Sequence, residues 1–205
     1  MRDRASHAIN ALTMSFGAVC LLGMAAGVAS ATTITFNGLT GANGSPFTTY
    51  TESGFTVSST LGTWFQGQAF GNPVPSIFSG PLFGSPATDA ITVTEGGQRF
   101  TFSALDLAAN NGNVNFTFTG TLLGAPVFNV TGTELANTAV FTTQPSGVSA
   151  DVIDSLTVTT NILGTSTNLD NIVVNTAAVP EPASLALLGS ALLGFSVIRR
   201  RRNRV

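Results

Sequence analysis

Short runs that alternate apolar residues with threonine, serine or asparagine fill residues 32–174. This two-residue period is typical of half-buried β-strands. The clearest run is residues 114–119, where three apolar side chains would face one way and Asn or Thr the other. Similar runs lie at residues 33–36, 54–57, 90–94, 100–102, 127–130, 139–141, 155–159 and 171–174. No helical period is sustained in this segment. We therefore predict an all-β fold, one antiparallel β-sandwich of jelly-roll type, over residues 32–174.

Glycine, proline and asparagine interrupt these runs at the spacing of a sandwich. The longest interruption, residues 61–84, is rich in glycine and proline and holds several aromatic residues. Exposed aromatic rings on loops of a rigid sandwich can stack on sugars, so Trp64, Phe65 and the upstream Tyr50 are candidate glycan-binding residues. The alternative is that these rings close one end of the core under a long loop.

The N-terminus has the pattern of a secretory signal peptide. Arg2 and Arg4 give a basic start, residues 16–29 are mostly apolar, and Ala29-Ser30-Ala31 forms an A-x-A cleavage site. We predict that residues 1–31 are a signal peptide, handled by the Sec translocon and signal peptidase.

The C-terminus has three unlike features in a fixed order. Residues 175–182 form a linker that ends in Pro-Glu-Pro, residues 183–198 form an uncharged apolar segment, and residues 199–205 form an arginine-rich tail. The apolar segment predicts a single transmembrane helix, with the arginines on the cytoplasmic side. Sixteen residues at about 1.5 Å each span roughly 24 Å, a little short of the hydrocarbon core.

This ending closely resembles the PEP-CTERM sorting signal of Gram-negative bacteria, a segment also labelled the ice-binding protein C-terminal domain. The matching residues are Val179, Pro180, Glu181 and Pro182, followed by the helix and by Arg199, Arg200, Arg201 and Arg202. The resemblance implies a partner, an exosortase-type membrane protease that recognises the Pro-Glu-Pro site. It also implies an inner-membrane-anchored precursor with a periplasmic domain and a mature form at the cell surface or outside the cell.

The charge and composition of the segment between the termini exclude several classes of function. Residues 32–179 contain eight acidic residues and one basic residue, Arg99, for a net charge of −7. Such a domain repels nucleic acid. The same segment contains no histidine and no cysteine, which excludes Ser-His-Asp and Cys-His catalysis and disfavours zinc.

Carboxylates are the remaining groups that could do chemistry. A glycosidase needs two of them across the scissile bond, and Asp151, Asp154, Asp106 and Glu95 are the candidates. Solvated turn positions are the alternative for these acids. Asp170 is a candidate ligand for a structural calcium ion, together with Glu52 or Asp106, because calcium takes hard oxygen ligands. No other cofactor is expected.

A second resemblance covers shorter pieces of the chain. A Phe-x-Phe-x-Ala-Leu-Asp-Leu strand at residues 100–107 and a closing pair at 154–159 and 169–174 are similar to galactose-binding-like and carbohydrate-binding jelly rolls. Thr-x-Thr pairs also recur, at Thr33/Thr35, Thr92/Thr94, Thr117/Thr119 and Thr157/Thr159, and a flat array of them could order ice-like water.

The sorting resemblance implies a non-enzymatic exported surface or matrix protein associated with exopolysaccharide or biofilm. The alternatives are a carbohydrate-binding module, a small glycoside hydrolase and an ice-binding protein.

Overall fold

The computed structural model describes residues 31–80, 87–137, 140–162 and 166–176. The predicted signal peptide (except Ala31), the Pro-Glu-Pro signal, the transmembrane helix and the arginine tail lie outside these residues. Nothing in the described ranges forms a helix long and apolar enough to cross a membrane. The regular elements of these ranges are β1 (Ala31–Ile34), β2 (Pro46–Phe47), β3 (Thr49–Glu52), β4 (Phe55–Leu61), β5 (Trp64–Gly67), β6 (Ser76–Ser79), β7 (Ala87–Thr94), β8 (Phe100–Ala109), β9 (Val114–Leu122), β10 (Ala125–Glu134), β11 (Thr142–Pro145), β12 (Ser155–Ile162) and β13 (Thr167–Thr176).

The described strands form two antiparallel sheets. Sheet A has the order β11-β8-β13-β6-β5-β2, with β1 also paired to β13, and sheet B has the order β10-β9-β12-β7-β4-β3. The prediction of an all-β protein with two antiparallel sheets is confirmed. The jelly-roll part stays a prediction.

The core lies between the inner faces of the two sheets. In β9, Phe116 and Phe118 are buried while Thr117 between them is half-buried, as the alternation predicted. Phe118 packs edge-to-face on Phe102 of sheet A, with ring centroids 5.1 Å apart. Burying such a side chain is worth about 1.5–3 kcal/mol.

The core of the described residues is self-contained. Its members all lie between Ile34 and Val174. The first strand, β1, pairs with the last strand, β13, so the two ends of this segment are tied together in one sheet. Residues 31–176 therefore contain the contacts that a folded domain needs without the two termini.

One difference from the sequence pattern lies between β4 and β7. The stretch expected to be one long loop contains two short strands, β5 and β6, which pair with each other. The turn at Gly96-Gly97 is present, with positive φ angles of 53° and 84° that glycine tolerates. It connects β7 of sheet B to β8 of sheet A and does not join neighbours in one sheet.

Candidate functional site

A cavity of about 350 Å³ lies beside the turn between β4 and β5 and the start of β7; we call it the end cavity. Both sheets contribute to it, because β4 and β7 belong to sheet B while β5 and β6 belong to sheet A. Its described lining is Gly62, Thr63, Phe65, Gly80, Ala87, Thr88 and Asp89.

Asp89 is the charged group of this lining. It is 2% exposed, and its Oδ1 atom accepts a hydrogen bond from the backbone N–H of Thr63 at 3.0 Å. Its Oδ2 atom is buried and has no hydrogen-bond partner among the described residues. Burial raises the pKa of Asp89, although the Thr63 N–H and the Ser79 hydroxyl oppose the shift.

Gly62 makes room for this carboxylate. A Cβ atom at position 62 would lie 1.6 Å from Asp89 Oδ1, and the backbone there has a φ of +72°. Both observations require glycine. Gly62 therefore places the carboxylate of Asp89 against the Thr63 N–H.

Phe65 gives the end cavity an aromatic wall. The half-buried ring stacks on Phe78, with centroids 5.2 Å apart and an interplanar angle of 28°. The two residues are direct cross-strand partners in β5 and β6, so backbone pairing fixes the stack. The described lining of the end cavity thus combines a fixed aromatic ring with a buried acidic residue, Asp89.

The other two sequence-predicted glycan residues lie elsewhere. Trp64 is 1% exposed and belongs to the core, with its Nε1–H buried and without a partner among the described residues. Tyr50 is half-buried, tilted against Phe36 at 5.5 Å, and its hydroxyl accepts the N–H of Gly38 at 3.0 Å. Of the three candidates, Phe65 is the one that lines the end cavity.

A second, smaller depression of about 80 Å³, the amide groove, lies over sheet A. Phe70 is 52% exposed and forms part of its wall. The side chain of Asn168 donates to Asn110 Oδ1 at 3.0 Å, and Asn110 in turn donates to the hydroxyl of Ser166. The described lining is Asn43, Phe70, Phe78, Asn110, Ser166 and Asn168.

A pair of carboxylates holds the loop between β5 and β6 against sheet A. Asp170 and Asp106 are direct partners in β13 and β8. Asp170 is fully buried and accepts the backbone N–H groups of Asn72 at 2.7 Å and Asn171 at 2.8 Å. Asp106 accepts the side-chain amides of the same two residues and the hydroxyl of Thr143.

Ionisation of Asp170 beside Asp106 is electrostatically unfavourable. Burial is the main cause that raises the pKa of Asp170 to about 6. The two backbone N–H groups oppose this shift, and the negative charges of Asp106 and Glu52 add to it.

The candidate calcium ligands are only partly brought together. Asp170 and Asp106 are adjacent, whereas both oxygens of Glu52 accept hydrogen bonds from Thr35 and Phe36. Among the residues that the structure describes, no group of three or more acidic, histidine or cysteine side chains is arranged to hold a metal ion. Calcium at Asp170 stays a prediction.

The candidate glycosidase acids do not line the end cavity or the amide groove among the residues that the structure describes. Asp151, Asp154, Asp106 and Glu95 are absent from the described lining of both the end cavity and the amide groove. Asp154 instead accepts the N–H of Leu123 at 2.7 Å in a turn.

Most of the threonine pairs lie on the outer face of sheet B. One row crosses four strands through Ser58, Thr92, Thr157 and Thr119, which are successive cross-strand partners. The hydroxyls of Thr92 and Thr157 are 3.4 Å apart. The pair that includes Thr33 belongs to sheet A, so the pairs do not form one array. Ice binding stays a prediction.

Asp89 and Gly62 were missed from the sequence, although one signal was present. Asp89 is in phase with Ile91 and Val93, the buried positions of β7. An acidic side chain at a core position of an alternating strand is rarely fully buried unless it is paired, so it marks a position that needs an explanation. No comparable signal marks Gly62, because its role depends on a contact across 27 residues of chain.

The fold and this cavity define a two-sheet antiparallel β-sandwich with a small acidic and aromatic site. Residues 178–202 match the model of the PEP-CTERM protein-sorting motif. The sorting motif that the last residues predicted is thus confirmed. The motif implies an exported, membrane-anchored precursor that exosortase recognises and processes.

Solved structures with similar folds are distant from this chain. A DUF4465 family protein from Bacteroides caccae is 9% identical, with 71% of this chain and 98% of that chain covered and a TM-score of 0.49. The family 32 carbohydrate-binding module of C. perfringens NanJ, solved with galactose, is 16% identical, with coverage of 60% and 97% and a TM-score of 0.40. A family 29 carbohydrate-binding module from Piromyces equi is 10% identical, with coverage of 75% and 95% and a TM-score of 0.42. A search of the curated proteins found no match.

Proposed function

We propose that this chain is a non-enzymatic exported protein of the cell surface or extracellular matrix that associates with polysaccharide by binding neutral sugars in the end cavity. The observation that supports this most directly is the lining of the end cavity, which places the ring of Phe65 beside Asp89, a buried residue whose Oδ2 atom has no hydrogen-bond partner among the described residues.

Sugar binding uses both groups. The apolar C–H face of a sugar ring would lie on Phe65, whose position is fixed by the stack on Phe78. A sugar hydroxyl would donate to the carboxylate of Asp89, whose buried Oδ2 atom a small side-chain movement would have to expose. Hydrogen bonds to an ionised acceptor are about twice as strong as neutral ones. Because Asp89 is already desolvated in the folded protein, binding requires little further loss of its hydration.

Charge favours a neutral ligand over an acidic one. Asp89 lines the cavity, and the segment around it carries a net charge of −7. A uronic acid or a sulfated sugar would bring a second negative charge beside a buried carboxylate, which costs free energy.

A binding role is better supported than hydrolysis. Glycoside hydrolysis uses two carboxylates on opposite sides of the bond. Asp89 is the single carboxylate among the described residues that line the end cavity. A sugar bound there would be held without a second acid to complete the reaction.

Sorting brings this domain to its place of action. Signal peptidase would cut after Ala31 once the Sec translocon has started export. The apolar segment and Arg199–Arg202 would hold the precursor in the inner membrane, and exosortase would act at Val179–Pro182. The mature sandwich would then lie at the surface or in the matrix, where neutral polysaccharide is available.

The test is equilibrium binding of residues 31–176 to uncharged cello-, laminari- and galacto-oligosaccharides, with uronic acid oligosaccharides as a comparison. We expect binding to at least one uncharged series and at least about tenfold weaker binding by Phe65→Ala, equal to about 1.4 kcal/mol. Leu123→Ala is the matched control, since Leu123 is 82% exposed and far from the lining in sequence and fold. Absence of binding to every uncharged series, or full binding by a folded Phe65→Ala protein, would overturn the proposal.

A further inference from the structure

We infer that the end cavity is one part of a longer site, which runs across sheet A to the amide groove and takes a chain of two or more neutral sugar units. This inference rests on the proposed function. It concerns a second contact region, at Phe70 and its neighbouring amides, that a single sugar in the end cavity does not reach.

Strand pairing joins the two regions. Phe65 of β5 is the cross-strand partner of Phe78 in β6, and Phe78 is the partner of Asn168 in β13. Partners in an antiparallel sheet share a face, and neighbouring strands are about 4.8 Å apart. The row from Phe65 to Asn168 therefore extends about 10 Å at right angles to the strands.

The ring pair belongs to both regions. Phe65 lines the end cavity, Phe78 lines the amide groove, and their rings are stacked at 5.2 Å. A ligand that leaves the end cavity along Phe65 therefore meets the wall of the amide groove at the next strand, with no charged side chain among the described residues that line the groove.

The amide groove offers hydrogen bonds that complement those of the end cavity. The Oδ1 atom of Asn43 accepts the backbone N–H groups of Gln68 and Ala69, which directs its Nδ2 donors elsewhere. Asn168 and Asn110 are oriented by their mutual hydrogen bond. Sugar hydroxyls both donate and accept, so one chain can donate to Asp89 at one end and accept from Asn43 at the other.

Phe70 supplies the apolar contact at this second region. Its side chain is 52% exposed beside the groove, a large exposure for an aromatic ring in a domain whose other described phenylalanines are mostly buried. The groove volume of about 80 Å³ is much smaller than the 350 Å³ of the end cavity. We therefore assign the whole first sugar to the end cavity and one edge of a later sugar to the groove at Phe70.

The experiment measures affinity against chain length. Residues 31–176 are titrated with cello-, laminari- and galacto-oligosaccharides of one to six units. A sugar chain that reaches the amide groove binds more tightly because its second contact is linked to the first. We therefore expect the affinity to rise at least about tenfold between one and three units and then to stay constant. In Phe70→Ala the monosaccharide affinity should stay as in the wild type, while the gain with length is lost. In Phe65→Ala both should fall.

Val74→Ala is the matched control, because Val74 lies on the same loop, is 50% exposed and is not part of the groove lining. It should keep the full gain with length. Monosaccharide binding with no dependence on length would overturn this inference alone. An equal loss at all lengths in Phe70→Ala would do the same. Absence of binding to any uncharged series would overturn the proposed function and this inference with it.

Discussion

The buried carboxylate of Asp170 predicts that the sandwich becomes less stable as pH rises from 4 to 7. The experiment changes the pH and compares the free energy of unfolding of the wild type with that of Asp170→Asn. The folded-state pKa of about 6 lies above the ordinary aspartate pKa of 3.8, so the folded protein binds more protons than the unfolded chain in this interval. The stability that protonated Asp170 contributes is therefore fully present below pH 3.8 and is lost as pH rises through 6.

The magnitude follows from the difference between the two pKa values. One pKa unit corresponds to 1.36 kcal/mol, so ionising Asp170 costs about 3 kcal/mol of unfolding free energy by pH 7 to 8. The residue is fully buried, so solvent screens this cost little. Asparagine at this position keeps one oxygen for a backbone N–H and turns its amide toward the other, which costs about 1–3 kcal/mol at every pH.

The assay is urea unfolding of residues 31–176 from pH 4 to pH 8. At pH 4 the wild type should be more stable than Asp170→Asn, and this advantage should shrink by about 3 kcal/mol or reverse by pH 8. Asp151→Asn removes a carboxylate outside the cluster and should not abolish the pH dependence. Parallel pH profiles for the wild type and Asp170→Asn would refute the reasoning.

Three further predictions concern the cavity, the sorting signal and the threonine face. Gly62→Ala should lower the free energy of unfolding by about 1–3 kcal/mol, measured by urea titration, because its Cβ would displace the Asp89 carboxylate; unchanged stability would contradict the assigned contact. Replacing Glu181 with Ala or deleting residues 199–204 should leave full-length precursor in the inner-membrane fraction on an immunoblot, and wild-type processing would refute the sorting role. Thermal hysteresis of residues 31–176 should be absent, because twist of about 20–25° per strand keeps the row through Thr92 from matching a flat ice surface; measurable hysteresis would restore ice binding as a function.

The sequence was sufficient to predict the long strands from their periodicity and the sorting signal from the order of its parts. In β9 the apolar residues Val114, Phe116 and Phe118 alternate with Asn and Thr, and Leu156 and Val158 of β12 alternate with Thr in the same way. The buried face of these strands could therefore be predicted from the sequence. The C-terminal motif could be recognised because proline, an uncharged segment and arginines must occur in that order, and the match to residues 178–202 confirms it.

Periodicity failed where the strands are short and buried on both faces. All four residues of β6 are buried, so no alternation distinguishes an inner from an outer face. Trp64 has the composition of an exposed ring in a Gly/Pro-rich loop, yet strand pairing turns it into the core and Phe65 outward. Which of two adjacent aromatic residues faces outward depends on register, and register is set by contacts distant in sequence.

The amide groove was unpredictable for a related reason. Asn43, Asn110 and Asn168 lie in three separate segments, and each letter alone is typical of a turn. They come together only when the end of β8, the start of β13 and the loop between β1 and β2 are placed side by side.

We expect the sandwich to act outside the cytoplasm after both termini have been removed. The decisive measurement is the intact mass of the protein recovered from its native cell surface or medium. The account predicts a mass that corresponds to a chain beginning at Thr32 and ending near Pro180-Glu181-Pro182, with any attached group added. A full-length mass, with residues 1–31 and 183–205 retained, would contradict it.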